Sequence, residues 1–135
     1  MRTNNIISWN GKKPKISDSA VIADNATVIG DVEGKTALIV DDEIDKGGTG
    51  IADSEALREY GAREVYCSVT HAVLSGDSAH RIDASPIHSL VVTDTLPVPE
   101  EKRVSKLRTI TVAALLGEAI QRIHKGLSVG AMFTN

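Results

Sequence analysis

The sequence predicts an α/β domain with a mostly parallel sheet between helices, in three layers. Three observations support this. The run Ala37-Leu38-Ile39-Val40 is too short for a helix and suits a central strand buried on both faces. It empties into Asp41-Asp42 and then the glycine-rich turn Asp45-Lys46-Gly47-Gly48-Thr49, with a helix signal directly after. Beyond that, short strand-like runs alternate with helical ones as far as Lys125, the rhythm of βαβ units.

Composition narrows the class. A chain of 135 residues suits one domain, and 41% apolar residues supply a core. A formal charge of -3 argues against nucleic acid and anionic membrane as partners. A single cysteine, Cys67, rules out an internal disulfide framework and suits a reducing compartment. The sequence contains no apolar run long enough to span a bilayer, and its start lacks the apolar region of a signal peptide, so the expected location is the cytoplasm.

In chain order, residues 1–13 read as a polar arm carrying Trp9, with Lys12, Lys13 and Lys15 as a solvated basic cluster. From Pro14 onward Ile16, Ile22 and Val28 recur every six residues, as do Ala20, Ala26 and Val32. This spacing marks parallel β-helices, although a single coil cannot enclose a core. Its expected partner is an edge of the sheet or a neighbouring subunit. The division is therefore 1–32 as an N-terminal arm with a hexapeptide-like β segment and 33–135 as the α/β domain. After a turn at Val32-Glu33-Gly34 come a strand over 36–41 and a helix over 51–60, with Ala52, Ala56, Leu57 and Tyr60 on one face and Gly61 at its end.

A second strand covers 64–70, with Val65, Cys67 and Val69 alternating inward, which makes Cys67 a buried small hydrophobe rather than a nucleophile. Thr70-His71 closes it, and Ser75-Gly76 opens a turn. A short helix over 79–82 and a strand over 90–93 follow, delivering Asp94 to the same edge as Asp41. Residues 96–106 read as an exposed loop. The last strand is expected over 107–112 and the last helix over 113–125, with Leu116, Ala119, Ile120 and Ile123 as its apolar face and Gly126 as its stop.

The glycine turn has chemistry of its own. Gly47-Gly48 allows positive φ and exposes successive amides, and Thr49 can cap the helix or offer its hydroxyl to an anion. A phosphate seated there meets backbone donors and the positive end of a helix dipole. Asp41 and Asp42 repel phosphate. They suit the hydroxyls of an attached sugar, or a magnesium ion with its water shell. Together these features describe a ribose 5-phosphate pocket.

The stretch from Asp41 to Thr49 resembles the ribose-phosphate loop of the type I phosphoribosyltransferase fold, in the version found in ribose-phosphate pyrophosphokinases. The resemblance continues through Thr70-His71-Ala72-Val73-Leu74-Ser75-Gly76, Val91-Val92-Thr93-Asp94-Thr95-Leu96-Pro97 and Ile120-Gln121-Arg122-Ile123-His124, and ends at Ser128 and Phe133. It implies a truncated type I phosphoribosyltransferase-like domain, the later part of the second of two tandem domains. The activity implied is magnesium-dependent transfer of pyrophosphate from ATP to ribose 5-phosphate. In that pattern Asp41 and Asp42 serve the ribose hydroxyls or metal-bound water, and Asp45, Lys46, Gly47, Gly48 and Thr49 cradle the phosphate.

His71 and Ser75 are candidates for a regulatory or interface role, against the plainer reading of His71 as a loop histidine bonded to backbone. Ser128 and Phe133 match the tail that contributes to a regulatory nucleotide site between subunits. Glu43 and Lys46 depart from the family, which usually has a hydrophobic residue and a threonine there. The ATP-binding first domain has no counterpart, so the expected chain is weak or inactive alone and no catalytic residue is assigned. A non-catalytic ribose-phosphate or nucleotide-binding module, or a structural product without ligand, are the alternatives.

The stretch from Pro14 to Val32 resembles the opening of the gamma-class carbonic anhydrases, without that family's zinc-binding histidines. The two resemblances meet at Gly30-Asp31-Val32, the pattern of a chimera. With the opening strands of the domain absent, an uncovered sheet edge implies a homo-oligomer, most simply a dimer.

Overall fold

The computed structural model describes residues 5–8, 11–14, 27–29 and 32–133. Strands β1 (Asn5–Ile7) and β2 (Thr27–Ile29) form a two-stranded parallel pair. Most of the six-residue periodicity, including Ile16, Ala20, Ile22 and Ala26, lies outside the described residues, as do Trp9 and Lys15.

The main sheet holds β3 (Thr36–Ile44), β4 (Glu64–Ala72), β5 (Ile87–Thr93) and β6 (Leu107–Ile110), in the order β3-β4-β5-β6 and parallel throughout. Helix α1 (Gly48–Glu59) joins β3 to β4, α2 (Ser78–Ala84) joins β4 to β5, and an irregular segment with a 3-10 turn at Glu100–Lys102 joins β5 to β6. Helix α3 (Ala113–His124) follows β6.

The order decides where the core lies. Parallel crossovers are right-handed, and each here steps to the next strand in the same direction, so all three must cover the same face. On that face Cys67, Val69, Leu90, Val92 and Leu107 pack with Ile82 of α2, and Ile51 of α1 and Val98 and Val104 of the irregular segment close over them. Residues 96–106 are thus partly a core cover, which corrects the fully exposed loop expected from the charges and prolines.

The opposite face is open. Leu38 and Val40 on β3 remain 61% and 73% exposed, and Ile110 on β6 is also exposed. The expected central strand is therefore an edge strand: among the described residues nothing pairs with the outer side of β3. Of three expected layers, the sheet and one helical layer are built. A crossover reaching the second face would need strands beyond β3, winding the other way. Nor does α3 fill the gap: its apolar stripe is as expected, yet it buries no residue, and Ile120 and Ile123 are each 68% exposed.

Candidate functional site

Parallel strands bring their carboxyl ends to one edge, and the candidate residues gather there. Strand β3 runs on to Ile44, so Asp41 and Asp42 stand within it and not beyond its end. Asp41 pairs with Val69, Glu43 with His71 and Ile44 with Ala72. Asp41 Oδ1 accepts the Asp42 amide at 2.9 Å, and Asp42 Oδ1 accepts the Glu43 amide at 2.9 Å. Each carboxylate therefore spends one oxygen on its neighbour's amide and keeps the other. Burial, and then the negative charges of Asp41 and Asp53, push the Cys67 thiol up to about 11, in keeping with a buried, inert cysteine.

The glycine turn forms as a helix entry. Gly47 sits at φ 72 and ψ 2, the left-handed region, and takes the N-cap position of α1. No side chain caps α1, so the cap expected of Thr49 is absent and Thr49 stands in the first helical turn. Gly48 has no positive φ, so the two glycines, expected to act alike, have separate roles. The first helix amide to reach back is Ile51, to the Gly47 carbonyl at 3.0 Å. Among the described residues the amides of Gly48, Thr49 and Gly50 have no acceptor. Asp45 Oδ1 is also buried without a partner among them.

Two contacts from α2 shape the turn. Arg81 Nη1 donates to the Lys46 carbonyl at 3.2 Å, and a Cβ on Gly47 would lie 3.1 Å from Ile82 Cδ1. Neither was legible in the sequence, because each joins segments 35 residues apart that only the sheet order brings together.

At the ends of β4 and β5, His71 Nδ1 lies 2.9 Å from Thr95 Oγ1. The Thr95 hydroxyl donates to the Thr70 carbonyl at 3.0 Å, and Thr93 donates to the same carbonyl at 2.7 Å. Thr93 Oγ1 also lies 2.9 Å from Thr95 Oγ1, so the two hydroxyls, the Thr70 carbonyl and His71 Nδ1 form one hydrogen-bonded cluster. The sequence reading named His71 and missed the two threonines that orient it. Ser75 follows the buried Leu74, which holds φ 50, and its carbonyl accepts the Ser78 amide at 3.3 Å.

Asp94 reaches the expected edge, but its carboxylate accepts the Val112 amide at 2.9 Å and a hydrogen bond from Thr111. These bonds hold it below the usual carboxylate range and tie it to the start of α3. Ser128 and Phe133 lie past α3: the Ser128 carbonyl accepts Arg122 Nη1 at 3.2 Å, and Phe133 is exposed. Among the described residues no group of three or more His, Cys, Asp or Glu side chains could hold a metal, and no helix is long and apolar enough to cross a membrane.

The model of the phosphoribosyl synthetase-associated domain matches residues 13–134. The ribose-phosphate pyrophosphokinase of Caldanaerobacter subterraneus subsp. tengcongensis is 48% identical over 123 residues, 91% of this chain and 38% of that protein. The one from Bacillus subtilis is 44% identical over 113 residues, 84% of this chain and 36% of that protein. The crystal structure of phosphoribosylpyrophosphate synthetase from Mycobacterium smegmatis superposes with a TM-score of 0.70 at 33% identity, covering 76% of this chain and 39% of that one. The chain thus spans a little over a third of the length of the curated relatives it matches. Because the matched family span runs through residues 14–32, the likeness of that stretch to carbonic anhydrases gains no support. By its matched span, its parallel α/β sheet and the loop between β3 and α1, the chain belongs to the phosphoribosyl synthetase-associated domain family.

Proposed function

We propose that the chain is a ribose-phosphate diphosphokinase-like domain whose β3–α1 loop binds ribose 5-phosphate. One observation carries the reading: among the described residues the Gly48, Thr49 and Gly50 amides stand without acceptors at the start of a helix, beside two carboxylates on the strand that leads into it. Phosphate completes the amides, and Lys46 adds positive charge. The free oxygens of Asp41 and Asp42 accept the ribose hydroxyls or hold a hydrated magnesium ion, which when bound would neutralise phosphate charge. Two single oxygens fit a magnesium ion that keeps most of its waters and do not fit a closed protein cage.

Likeness to ribose-phosphate pyrophosphokinases supports pyrophosphate transfer from ATP to ribose 5-phosphate as the activity of the whole enzyme. That transfer requires both substrates held in line. The chain matches 38% and 36% of two such enzymes, which favours a second reading: ribose-phosphate or nucleotide binding without turnover. Calorimetric titration with ribose 5-phosphate, with and without magnesium, tests the pocket. Binding is expected, and its absence under both conditions refutes the reading. AMP formation from ATP and ribose 5-phosphate separates the catalytic from the binding form. His71, Ser75, Ser128 and Phe133 we assign to regulation or subunit contact, and a second copy of the chain is the proposed partner.

A further inference from the structure

The amino ends of the strands carry an open cavity of about 670 Å³, mostly apolar in its lining, where Arg58, Arg63, Glu64, Pro86, His88 and Lys106 meet. Its volume falls within the range of small-molecule sites. Glu64 and Ile87 stand in the first register pairs of their strands, whereas the phosphate loop follows the last pairs of β3. At about 3.3 Å per residue, the nine residues of β3 put the two sites on the order of 30 Å apart.

Three permanent cations face one carboxylate here, in a chain whose net charge is -3. Arg58 Nη1 donates to the Ala62 carbonyl at 2.7 Å and also to the Arg63 carbonyl. Arg63 Nη2 donates to Thr36 Oγ1 at 3.1 Å, and Lys106 Nζ donates to the Ser85 carbonyl at 2.7 Å. All of these acceptors are neutral, so they fix the cations in place without cancelling their charge. Each cation keeps further N–H donors, since a guanidinium has five and an ammonium three. Among the described residues none of the three takes part in an ion pair. The apolar floor is the exposed Pro86, and the His88 ring stands 4.9 Å from Tyr66, tilted by 53°.

We propose that this cavity is a second anion site, taking a phosphate-bearing small molecule. Its phosphate sits among Arg58, Arg63 and Lys106, and its organic part lies against Pro86 and His88. Prepositioned cations lower the ordering cost of binding, and the bidentate reach of arginine suits phosphate oxygens. The apolar floor and imidazole ring favour an ester with a planar group over the bare ion.

The test is titration of the isotope-labelled full chain with inorganic phosphate and with phenyl phosphate, followed by amide chemical shifts. Shifts at Glu64, Ile87 and His88 are expected, with phenyl phosphate binding more tightly. Arg63→Gln and Lys106→Gln should each weaken binding at least fivefold. Shifts confined to the Gly48–Gly50 amides, unchanged affinity in both variants, or no shifts at millimolar ligand would overturn the site. Should a variant fail to fold, the shift map of the unaltered chain decides alone. Failure here leaves the loop reading standing, because that reading depends on ribose 5-phosphate binding at the opposite end of the sheet.

Discussion

Gly47 and Gly48 are adjacent and identical in type, and the structure gives them different work. A side chain at Gly47 would have to hold φ 72 and would place its Cβ 3.1 Å from Ile82 Cδ1, whereas at Gly48 a Cβ meets nothing within 4 Å. The left-handed conformation alone costs about 1–2 kcal/mol for a residue with a Cβ. Gly47→Ala should therefore lower stability by at least that much in urea unfolding and abolish ribose 5-phosphate binding. Gly48→Ala should hold or raise stability, by up to roughly 1 kcal/mol of helix propensity. Equal losses in the two variants would show that the turn is not built this way. Cys67 gives a second check at the same scale. With its pKa pushed up to about 11 and its side chain in the core, about one thiol in a thousand is ionised near pH 8. Its labelling by a thiol reagent should follow the unfolding rate and not reagent concentration. Burial of Cys67 was legible in the sequence, from the alternation Val65-Cys67-Val69. Its neighbours Asp41 and Asp53 were not, because strand register and helix docking bring them close.

Elements were legible wherever a periodic pattern and a stop residue coincided, as in β4, β5 and α3. Their ends were less so: β3 and β4 each run past the expected stop, through residues 42–44 and 71–72, because paired neighbours extend one another there. For α1 only Leu57 of the expected face turns inward, while Ala52, Ala56 and Tyr60 are exposed. The buried residue is Ser54, its hydroxyl donating to the Ile51 carbonyl at 2.7 Å, with Ile51 and Leu57 half-buried beside it. The helix begins earlier than expected, at Gly48, and the position of the turn sets which face meets the sheet. Side chains from distant elements also clamp the connections. Asp83 of α2 accepts the Ser105 hydroxyl at 2.9 Å and the Lys106 amide at 3.2 Å, and these bonds lower its pKa. Asp94 is lowered in the same way, through Thr111 and Val112. A carboxylate whose folded pKa is depressed contributes its stability in full above the unfolded value of about 4, and loses it as pH falls toward the folded one. Unfolding midpoints between pH 6 and pH 3 should therefore fall less steeply in Asp83→Asn and Asp94→Asn than in the parent chain. Identical slopes would show that these bonds do not couple to folding.

At the scale of the whole molecule, strand order governs what the domain leaves uncovered. Because β3, β4, β5 and β6 are sequential and parallel, every crossover between them falls on one face, and the other stays open among the described residues. Alternation within single strands could not reveal this, since Leu38 and Val40 read as core residues in any apolar run. A second copy of the chain is the proposed cover. Two β3 edges meeting about a two-fold axis would pair antiparallel and extend the sheet. The open face and the apolar stripe of α3 can add to the area, and a stable interface needs roughly 800 Å² from each partner. Light scattering over a tenfold concentration range should give a dimer throughout. Val40→Glu should yield a folded monomer, because the side chain is 73% exposed in the single copy and its replacement costs the monomer little. A monomer at every concentration, or a Val40→Glu chain that remains dimeric, would remove the second copy from this face and leave the closure of the sheet to a different chain.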